Sequence, residues 1–473
     1  MTGREKCVAV FVACGLCVPG CGDSGEPGSP LPQLETRGGP VMAHPQIVPI
    51  VFGDTADPPQ TFPVDYSRWL VTSTWLTVVG ADYGVGQGSV LGAVQRPDRA
   101  PDAITDAQIV DLLFAGLADG TLPRPADGDL GSVLYMFWFS PRTVITGGSL
   151  QSCVDFGGYH DSARRNGLEV AYAVIANCGG NSNEIVASHE LIEAATDPFP
   201  GNHPGYQLTD HASPWLALGQ EVADLCERGD GTELWSDGSH VAQRSWSNAA
   251  AAAGRDPCIP GAANPYFNMQ SGIKSVPRIP PGGHQSIPLT SWLTDALKEF
   301  SWRLDALPGR SSAASLTLQL GTTMANGNTA TALDVTVAAS AMRGTVLRFY
   351  VFSSTTTAYQ VLPMRAVVGD PCSSFSGCED CTAHIGCGFC ASSGRCEAQG
   401  ESSCSASSFA IWPGSCPGFC APHNGCTDCA SQPGCGWCAS SGQCLEASHE
   451  YSHPAEERCD YADWSFTPAY CPQ

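Results

Sequence analysis

A histidine and two glutamates lie close together in the chain, at His189, Glu190 and Glu193. On an α-helix, residues four apart lie on the same face, one turn from each other. His189 and Glu193 would therefore reach the same metal ion, with Glu190 beside them. A metal-bound water loses a proton readily, and a nearby glutamate can accept that proton as the water attacks a carbonyl carbon. The spacing thus predicts two metal ligands, His189 and Glu193, and a catalytic general base, Glu190.

This arrangement matches the zinc-peptidase helix, H-E-x-x-H, except that a glutamate replaces the second histidine. A catalytic zinc site has three protein ligands and a water, so a third ligand must come from elsewhere. Glu221 and Asp224 are the first candidates, because residues three apart can share a helical face. One of them would bind the metal and the other would orient a ligand. His160, shortly after a Gly-Gly pair, is the second candidate. The expected cofactor is zinc.

Two other interpretations of these residues remain open. In the first, the segment is an amphipathic core helix whose charged residues form a solvated stripe. Its inward face would then consist of Ile185, Val186, Ile192 and Ala195. In the second, the many aspartates bind calcium, but no regular D-x-D-x-D-G loop supports that interpretation.

Charge and cysteine content limit the class of protein. The chain has 473 residues, with 46 acidic and 23 basic ones, which gives a net charge of −23. Such a surface repels nucleic acids and anionic lipids, so a nucleic-acid partner is not expected. The 24 cysteines are far more than a typical cytosolic protein contains. They predict disulfides and therefore an oxidising compartment.

The N-terminus has the features of an export signal. Arg4 and Lys6 precede an apolar run at 8–18 that is too short to cross a membrane. The following residues, 18–21, resemble a bacterial lipobox, in which Cys21 would carry the lipid. We therefore expect an outer-membrane or cell-surface lipoprotein that contacts the membrane only through this anchor. Ordinary signal cleavage and release to the extracellular space is the alternative.

The remaining chain changes character several times. Strand patterns at 47–52, 133–139 and 169–175, with a helix at 106–119 capped by Thr105 or Asp106, precede the His189 helix, which Asp197-Pro198 ends. Later strand patterns cover 315–320, 332–337 and 346–352, and 294–304 has a possible helical pattern. The predicted segments are a signal peptide and lipobox at 1–21, a flexible linker at 22–44, an α+β zincin-like metallohydrolase domain at 45–262, an Ig-like β-sandwich at 265–370, and small disulfide-rich repeats at 371–416 and 417–473.

The C-terminal repeats contain eight cysteines each, and their first five intervals are identical. The spacing C-x5-C-x2-C-x5-C-G-aromatic-C-x5-C is similar to that of the plexin–semaphorin–integrin (PSI) module. Such a resemblance implies extracellular spacers without catalytic residues. A zinc site in the CxxC pairs is possible, but the even count in an exported chain favours disulfides. In the preceding region, Cys153–Cys178 and Cys226–Cys258 are the expected pairs on sequence proximity alone.

Motif order in the 45–262 region also resembles a plant family. Gly158-Tyr159-His160, the His189 helix, a Glu221-to-Glu227 block and a Trp246-to-Cys258 segment follow one another as in the secreted exordium or phosphate-induced proteins. This resemblance implies a zincin-like fold, but the family has no defined reaction. Two functions follow as expectations. One is an exported zinc-dependent hydrolase of metallopeptidase type. The other is a non-catalytic surface protein that binds an extracellular protein or glycan through its C-terminal modules.

Overall fold

A computed structural model describes most of the chain. The predicted signal peptide, Cys21 and residues 22–30 of the predicted linker lie outside the described residues. The prediction of a flexible linker is wrong for residues 31–44, because Leu34 and Met42 are buried and Glu35–Thr36 forms a strand. None of the described helices is long and apolar enough to cross a membrane. The described residues are 31–53, 61–126, 128–148, 150–201, 203–227, 233–261, 266–294, 300–402, 404–405, 408–447, 459, 463–468 and 471.

The described protein consists mostly of β-sheet with few helices, followed by a disulfide-rich C-terminal region. Its first part, the α/β unit, extends from residue 31 to residue 261. The elements of this unit are β1 Glu35–Thr36, β2 Gln46–Val51, α1 Phe62–Thr72, α2 Thr74–Val79, β3 Ser89–Val90, β4 Val94–Gln95, β5 Ala103–Thr105, α3 Asp106–Asp119, β6 Val133–Trp138, β7 Val144–Gly147, β8 Leu150–Gln151, β9 Gly158–Arg165, β10 Leu168–Ile175, α4 Ser182–Thr196, β11 Tyr206–Gln207, β12 Leu234–Ser236, β13 Val241–Gln243, β14 Ser245–Trp246, α5 Asn248–Ala252 and β15 Cys258–Ile259.

The central sheet of this unit is mainly parallel. Its strand order is β3-β2-β6-β10-β9, with β4 also pairing with β2. Only β9 runs antiparallel to its neighbour, β10, and it forms one edge. Every residue of β6 is buried, because apolar clusters cover both faces of the sheet. Helices α1, α2 and α4 pack on one face, and α3 packs on the other.

Helix α4 lies close against the edge strand β9. A Cβ atom on Gly158 would come within 2.3 Å of Val186 on this helix, so the close approach requires glycine. The helix ends where expected, since the Asp197 amide donates to the Glu193 carbonyl and Pro198 follows. The close packing brings the start of β9 next to the middle of α4.

The second unit is a β-sandwich. Its strands are β16 Phe267–Ser271, β17 Arg278–Ile279, β18 His284–Leu293, β19 Ser301–Pro308, β20 Leu316–Leu320, β21 Met324–Asn326, β22 Ala330–Val337, β23 Val346–Ser354 and β24 Tyr359–Val368. Sheets of four and five strands, in the orders β16-β18-β22-β20 and β17-β24-β23-β19-β21, enclose one apolar core. In strand β22, buried Leu333 and Val335 alternate with exposed Asp334 and Thr336, as expected for a strand with one face in the core.

The possible helix at 294–304 is wrong for its last residues. Strand β19 begins at Ser301 and pairs with both β21 and β23. Alternation along this strand buries Trp302 and Leu304 in the sandwich core. Tertiary pairing therefore overrides the local helical pattern there. Residues 295–299 lie outside the described residues.

The C-terminal region consists of two copies of one small disulfide-bonded unit. Both copies join their cysteines in the order first–fourth, second–eighth, third–sixth and fifth–seventh. The elements are α6 Cys378–Thr382, β25 Cys387–Cys390, β26 Arg395–Ala398, β27 Phe409–Ala410, α7 Cys426–Ala430, β28 Cys435–Cys438, β29 Gln443–Glu446 and β30 Trp464–Ser465. The bonds are Cys372–Cys387, Cys378–Cys416, Cys381–Cys396 and Cys390–Cys404 in the first copy, and Cys420–Cys435, Cys426–Cys471, Cys429–Cys444 and Cys438–Cys459 in the second.

The two disulfides expected in the α/β unit are confirmed. Cys153 bonds to Cys178, and Cys226 bonds to Cys258. The first joins the loop before β9 to the loop before α4, and the second joins the segment after Asp224 to β15. Both bonds therefore restrain segments that flank the candidate site.

Candidate metal centre

All six residues predicted for the site come together in one cluster, in which His160, Glu190 and Glu193 are buried and the other three are partly exposed. Strand β9 contributes His160, and helix α4 contributes His189, Glu190 and Glu193. Glu221 and Asp224 come from the segment after β11. The solvated stripe of the amphipathic-helix interpretation is wrong, because Glu190 is 4% exposed and Glu193 is 3% exposed, whereas Ile192 and Ala195 do lie in the core as that interpretation proposed. Charged side chains at such depth must be paired or must bind an ion.

Glu193 lies at the centre of the cluster. Its Oε1 atom accepts hydrogen bonds from the backbone amides of Ala223 and Asp224, at 3.2 and 3.0 Å. These bonds leave the other oxygen, Oε2, directed at the two histidines. His189 Nε2 lies 3.0 Å from Oε2, and His160 Nδ1 lies 3.8 Å from it. The backbone thus fixes the Glu193 carboxylate through Oε1, and Oε2 is left available as a metal ligand.

The orientation of His189 is set by Gln243 on β13. The Gln243 side-chain amide donates to the Ala223 carbonyl at 2.7 Å, which directs its Oε1 atom towards His189. His189 Nδ1 lies 2.9 Å from that oxygen and therefore carries the donated proton. In the neutral ring, Nε2 would then hold the lone pair that a metal requires. Sequence reasoning missed Gln243, since a glutamine more than fifty residues away in the chain carries no local signal.

His160 connects the helix to the segment after β11. Its Nδ1 lies 3.5 Å from Glu190 Oε2, and its Nε2 lies 3.5 Å from Glu221 Oε1. The backbone carbonyl of Asp197 lies 3.2 Å from the same Nε2. Within the described residues, Glu221 Oε1 is buried without a hydrogen bond. The His160 ring faces this oxygen, but no described donor forms a hydrogen bond of good geometry with it.

Glu221 and Asp224 do not share a helical face as predicted. The 3₁₀-helix there covers Asp224–Cys226, and Glu221 precedes it. The Asp224 side chain turns back and accepts from the Gln220 and Glu221 amides. Its other oxygen, Oδ1, lies 3.8 Å from His189 Nε2. The two carboxylates consequently face different histidines.

The crowding of like charges shifts the pKa values of several groups. Burial alone would lower the pKa of His160 and of His189, but the surrounding carboxylates outweigh it and raise both well above the usual range. Burial, together with the negative charge of Glu193, raises the pKa of Asp224 to about 8. Burial also raises the pKa of Glu221 well above its usual range, although His160 opposes the shift. A divalent cation would relieve this repulsion.

The donor atoms fit a divalent metal. Two groups of three, His160–Glu190–Glu193 and His189–Glu193–Asp224, each have donor atoms that all lie within 4.8 Å of one another. Ligands about 2.0–2.2 Å from a tetrahedral zinc are about 3.3–3.6 Å apart. Several donor separations in the cluster, between 3.0 and 3.8 Å, fall near this value. Imidazole and carboxylate are ligands that zinc accepts.

Other cysteine-containing groups in the described residues do not form metal sites. Cys420, Cys435 and Cys444 lie close together but are all in disulfides. Cys258, near Glu233 and Asp256, is also in a disulfide. An oxidised cysteine has no thiolate to offer a metal.

Comparison with known proteins adds little to this picture. No family model matches the chain, and no curated protein is significantly similar to it. Among solved structures, a FixG-related protein from Vibrio parahaemolyticus is similar to 22% of this chain over 97% of its own length, with 6% identity and a TM-score of 0.17. The GAE domain of GGA2p from Saccharomyces cerevisiae is similar to 24% of this chain over 94% of its own length, with 12% identity and a TM-score of 0.13. Neither similarity bears on the metal centre.

Proposed function

We propose that this protein is an exported zinc-dependent hydrolase of metallopeptidase type. The observation that carries the proposal is the convergence of two histidines and several carboxylates around Glu193 in the protein interior. The extensive disulfide bonding supports an extracellular or secreted location. The zincin-like and exordium-like interpretation of the α/β unit, with an edge strand beside the histidine helix, belongs to this proposal.

Three residues are best placed to hold the zinc. His189 presents Nε2, Glu193 presents Oε2 and Asp224 presents Oδ1, and His160 lies next to this set. When bound, the metal would supply a water of lowered pKa. Glu190, buried beside His160, would accept a proton from that water. Gln243 keeps the His189 ring in the required tautomer, and the Ala223 and Asp224 amides hold Glu193 in place.

The rest of the chain would present this domain at the cell surface. A lipid anchor at Cys21 and a flexible linker would attach it to the membrane. The sandwich, Ig-like in size, and the two PSI-like repeats would act as rigid spacers. The disulfides of the two repeats suit small units with little apolar core, because such units need covalent restraints.

Metal content tests the zinc site directly. The full-length protein, purified without chelators, is expected to contain zinc at close to one equivalent by elemental mass spectrometry. The His189→Ala variant should lose most of this zinc, because it lacks one of the three proposed ligands, the one that lies between Glu193 and Asp224. His284→Ala is the matched control, because His284 is an exposed strand residue of the sandwich. Absence of transition metal in the unaltered protein would contradict the proposal.

Hydrolysis tests the role of Glu190. A screen of denatured protein and peptide-library substrates should reveal metal-dependent cleavage. Glu190→Gln should retain zinc while reducing the cleavage rate by at least about 100-fold, as expected for loss of a general base. Unchanged cleavage in this variant would rule out the proposed mechanism.

One observation favours a second, non-catalytic function. His160, Glu190 and Glu193 are buried, and the larger cavities among the described residues are lined by none of the six cluster residues. A structural metal in a surface protein that binds an extracellular protein or glycan would have this appearance. In that case neither the unaltered protein nor the Glu190→Gln variant would cleave any substrate in the screen. The His189→Ala variant would still bind the extracellular ligand through residues 265–473.

A further inference from the structure

A cavity of about 440 Å³ lies where the α/β unit, the sandwich and both C-terminal repeats meet. Its wall contains two arginines, Arg37 and Arg365, and one histidine, His211. None of the described lining residues is aspartate or glutamate. The aromatic residues Trp412 and Phe466 complete part of the wall. A cationic wall of this kind stands out in a chain of net charge −23.

Arg365 is the residue whose charge is least compensated. It extends from β24, and its Nη2 atom donates to the His211 carbonyl at 2.5 Å. Its Nε atom is buried without a hydrogen bond among the described residues, and those residues give it no ion pair. Arg365 is only partly exposed, and a guanidinium that loses part of its hydration without gaining a carboxylate partner is destabilising.

The surrounding charges add to this cost. Burial and the nearby Arg348 lower the pKa of Arg365, and only Asp210, an exposed residue, opposes them. Burial together with Arg365 and Arg37 lowers the pKa of His211. The positive potential in the cavity therefore comes from several groups, of which Arg365 has no ion pair among the described residues.

We infer that this cavity binds a carboxylate attached to an apolar group. An arginine guanidinium matches a carboxylate with paired hydrogen bonds, which gives geometric selectivity as well as affinity. Trp412 lies edge-on to His211, with ring centroids 5.6 Å apart, and offers apolar surface beside the cationic wall. The volume is in the range of small-molecule sites, about 300–1,000 Å³. The ligand is either a free organic acid or the C-terminal end of a peptide.

The cavity and the metal cluster share part of their framework. Gln207 lines the cavity and donates to Asp197 Oδ2 at 2.8 Å, and the backbone carbonyl of Asp197 contacts His160. Gln220 also lines the cavity, and its backbone amide donates to Asp224 Oδ2. The inference itself does not rest on the proposed hydrolase activity, because the cavity requires no metal.

Calorimetric titration of the full-length protein tests the inference. The probe is hippurate, a carboxylate with an aromatic group, and hippuramide is its neutral counterpart. We expect saturable binding of hippurate that weakens with added salt, and at least 10-fold weaker binding of hippuramide. Arg365→Gln should weaken hippurate binding at least 10-fold, since it removes the charge that faces the ligand. The titrations are run after chelator treatment, so that their outcome is independent of zinc.

The controls separate the cavity from general surface charge. Arg343→Gln, an exposed arginine of the sandwich that pairs with Asp370, should bind hippurate normally. If Arg365→Gln fails to fold, Arg37→Gln provides the same test from the other wall. A tetrapeptide with a free C-terminus, compared with its amidated form, distinguishes a peptide end from a free acid. Equal binding of hippurate and hippuramide, or no binding of hippurate, would overturn the inference.

Discussion

Glu193 shows how a single residue can define the site. Glu193 occupies the position that the second histidine has in the H-E-x-x-H pattern, and two backbone amides hold one of its carboxylate oxygens. A histidine at this position could not accept both hydrogen bonds and still face the cluster. The glutamate is therefore part of a consistent local arrangement.

Protonation of the site residues predicts an unusual pH dependence for the metal-free protein. The pKa of Asp224 is raised to about 8, chiefly by burial and by Glu193. Asp161 follows His160 on β9 and is not one of the six site residues, and its pKa is raised to about 6, chiefly by burial. At pH values between the ordinary aspartate pKa and these raised pKa values, the folded state binds more protons than the unfolded chain. The free energy of unfolding should therefore rise as the pH is lowered from 8 to 6, by up to about 1.4 kcal/mol per pH unit for each proton.

The histidines act in the same direction. Because their folded pKa values are raised, their contribution to stability is complete below the unfolded value and disappears as the pH rises through the folded one. Urea unfolding of chelator-treated protein at pH 6, 7 and 8 measures the trend. Asp224→Asn should reduce the slope. Zinc-loaded protein should show the opposite trend, because its ligands must be deprotonated. Stability that falls as the metal-free protein is acidified would contradict the prediction.

Individual elements were predictable where their signals are local. The helix at 106–119 was predicted with the bounds that α3 has, because its apolar spacing and its N-terminal cap are both encoded within fifteen residues. The strands β2, β6 and β10 also lie where apolar runs predicted them. By contrast, helices α1 and α2 were missed.

The composition of the site was only partly predictable, because it depends on long-range pairing. The spacing of His189, Glu190 and Glu193 is a helical signal that needs no tertiary information. His160 was ranked below Glu221 and Asp224, since nothing local reveals that β9 pairs antiparallel with β10 and lies against α4. The same reason explains why Gln243 was missed.

The capping box of α3 allows a test of stability at the element scale. The Thr105 hydroxyl accepts from the Gln108 amide, and the Gln108 side chain accepts in return from the Thr105 amide. Thr105→Ala should lower the free energy of unfolding by about 1 kcal/mol. Because the two bonds belong to one motif, Thr105→Ala and Gln108→Ala should be non-additive in a double-mutant cycle followed by urea denaturation.

Zinc content provides the control for that cycle. Helix α3 packs on the face of the sheet opposite α4, so neither substitution touches the cluster. Both variants should retain the metal of the unaltered protein. Strictly additive losses would show that the capping box does not act as a unit.

At the scale of the whole molecule, the repeats were easier to predict than their docking. The identical cysteine spacings indicated two copies of one unit, and both copies have the same disulfide connectivity. The contacts between these units and their neighbours involve residues far apart in the chain, and no local sequence pattern indicates them. Arg278 of the sandwich donates to the carbonyl of Asp370, just before the first repeat, and to the carbonyl of Ile385 within that repeat. Ser275 donates to Glu401 of the same repeat.

Gly400 offers a test of whether this docking stabilises the molecule. Its φ is +84°, and a Cβ atom there would lie 1.9 Å from the Lys274 carbonyl and 2.7 Å from the Ala212 Cβ. Three units, the first repeat, the sandwich and the α/β unit, meet at this point. Gly344 is a matched control, because its φ is +86° but a Cβ atom would meet nothing within 4 Å. Alanine at either position has the same backbone strain, about 1 kcal/mol.

The difference between the two variants isolates the contact between units. Gly344→Ala should lower the midpoint of thermal unfolding only slightly, with unchanged protease resistance. Gly400→Ala should be more destabilising and should increase cleavage near residues 270–280 and 400 in limited proteolysis, because the clash separates the repeat from its neighbours. The cavity wall that Trp412 contributes should move with the repeat, so hippurate binding should weaken as well. Equal behaviour of the two variants would mean that the units are held together elsewhere and that this contact is incidental.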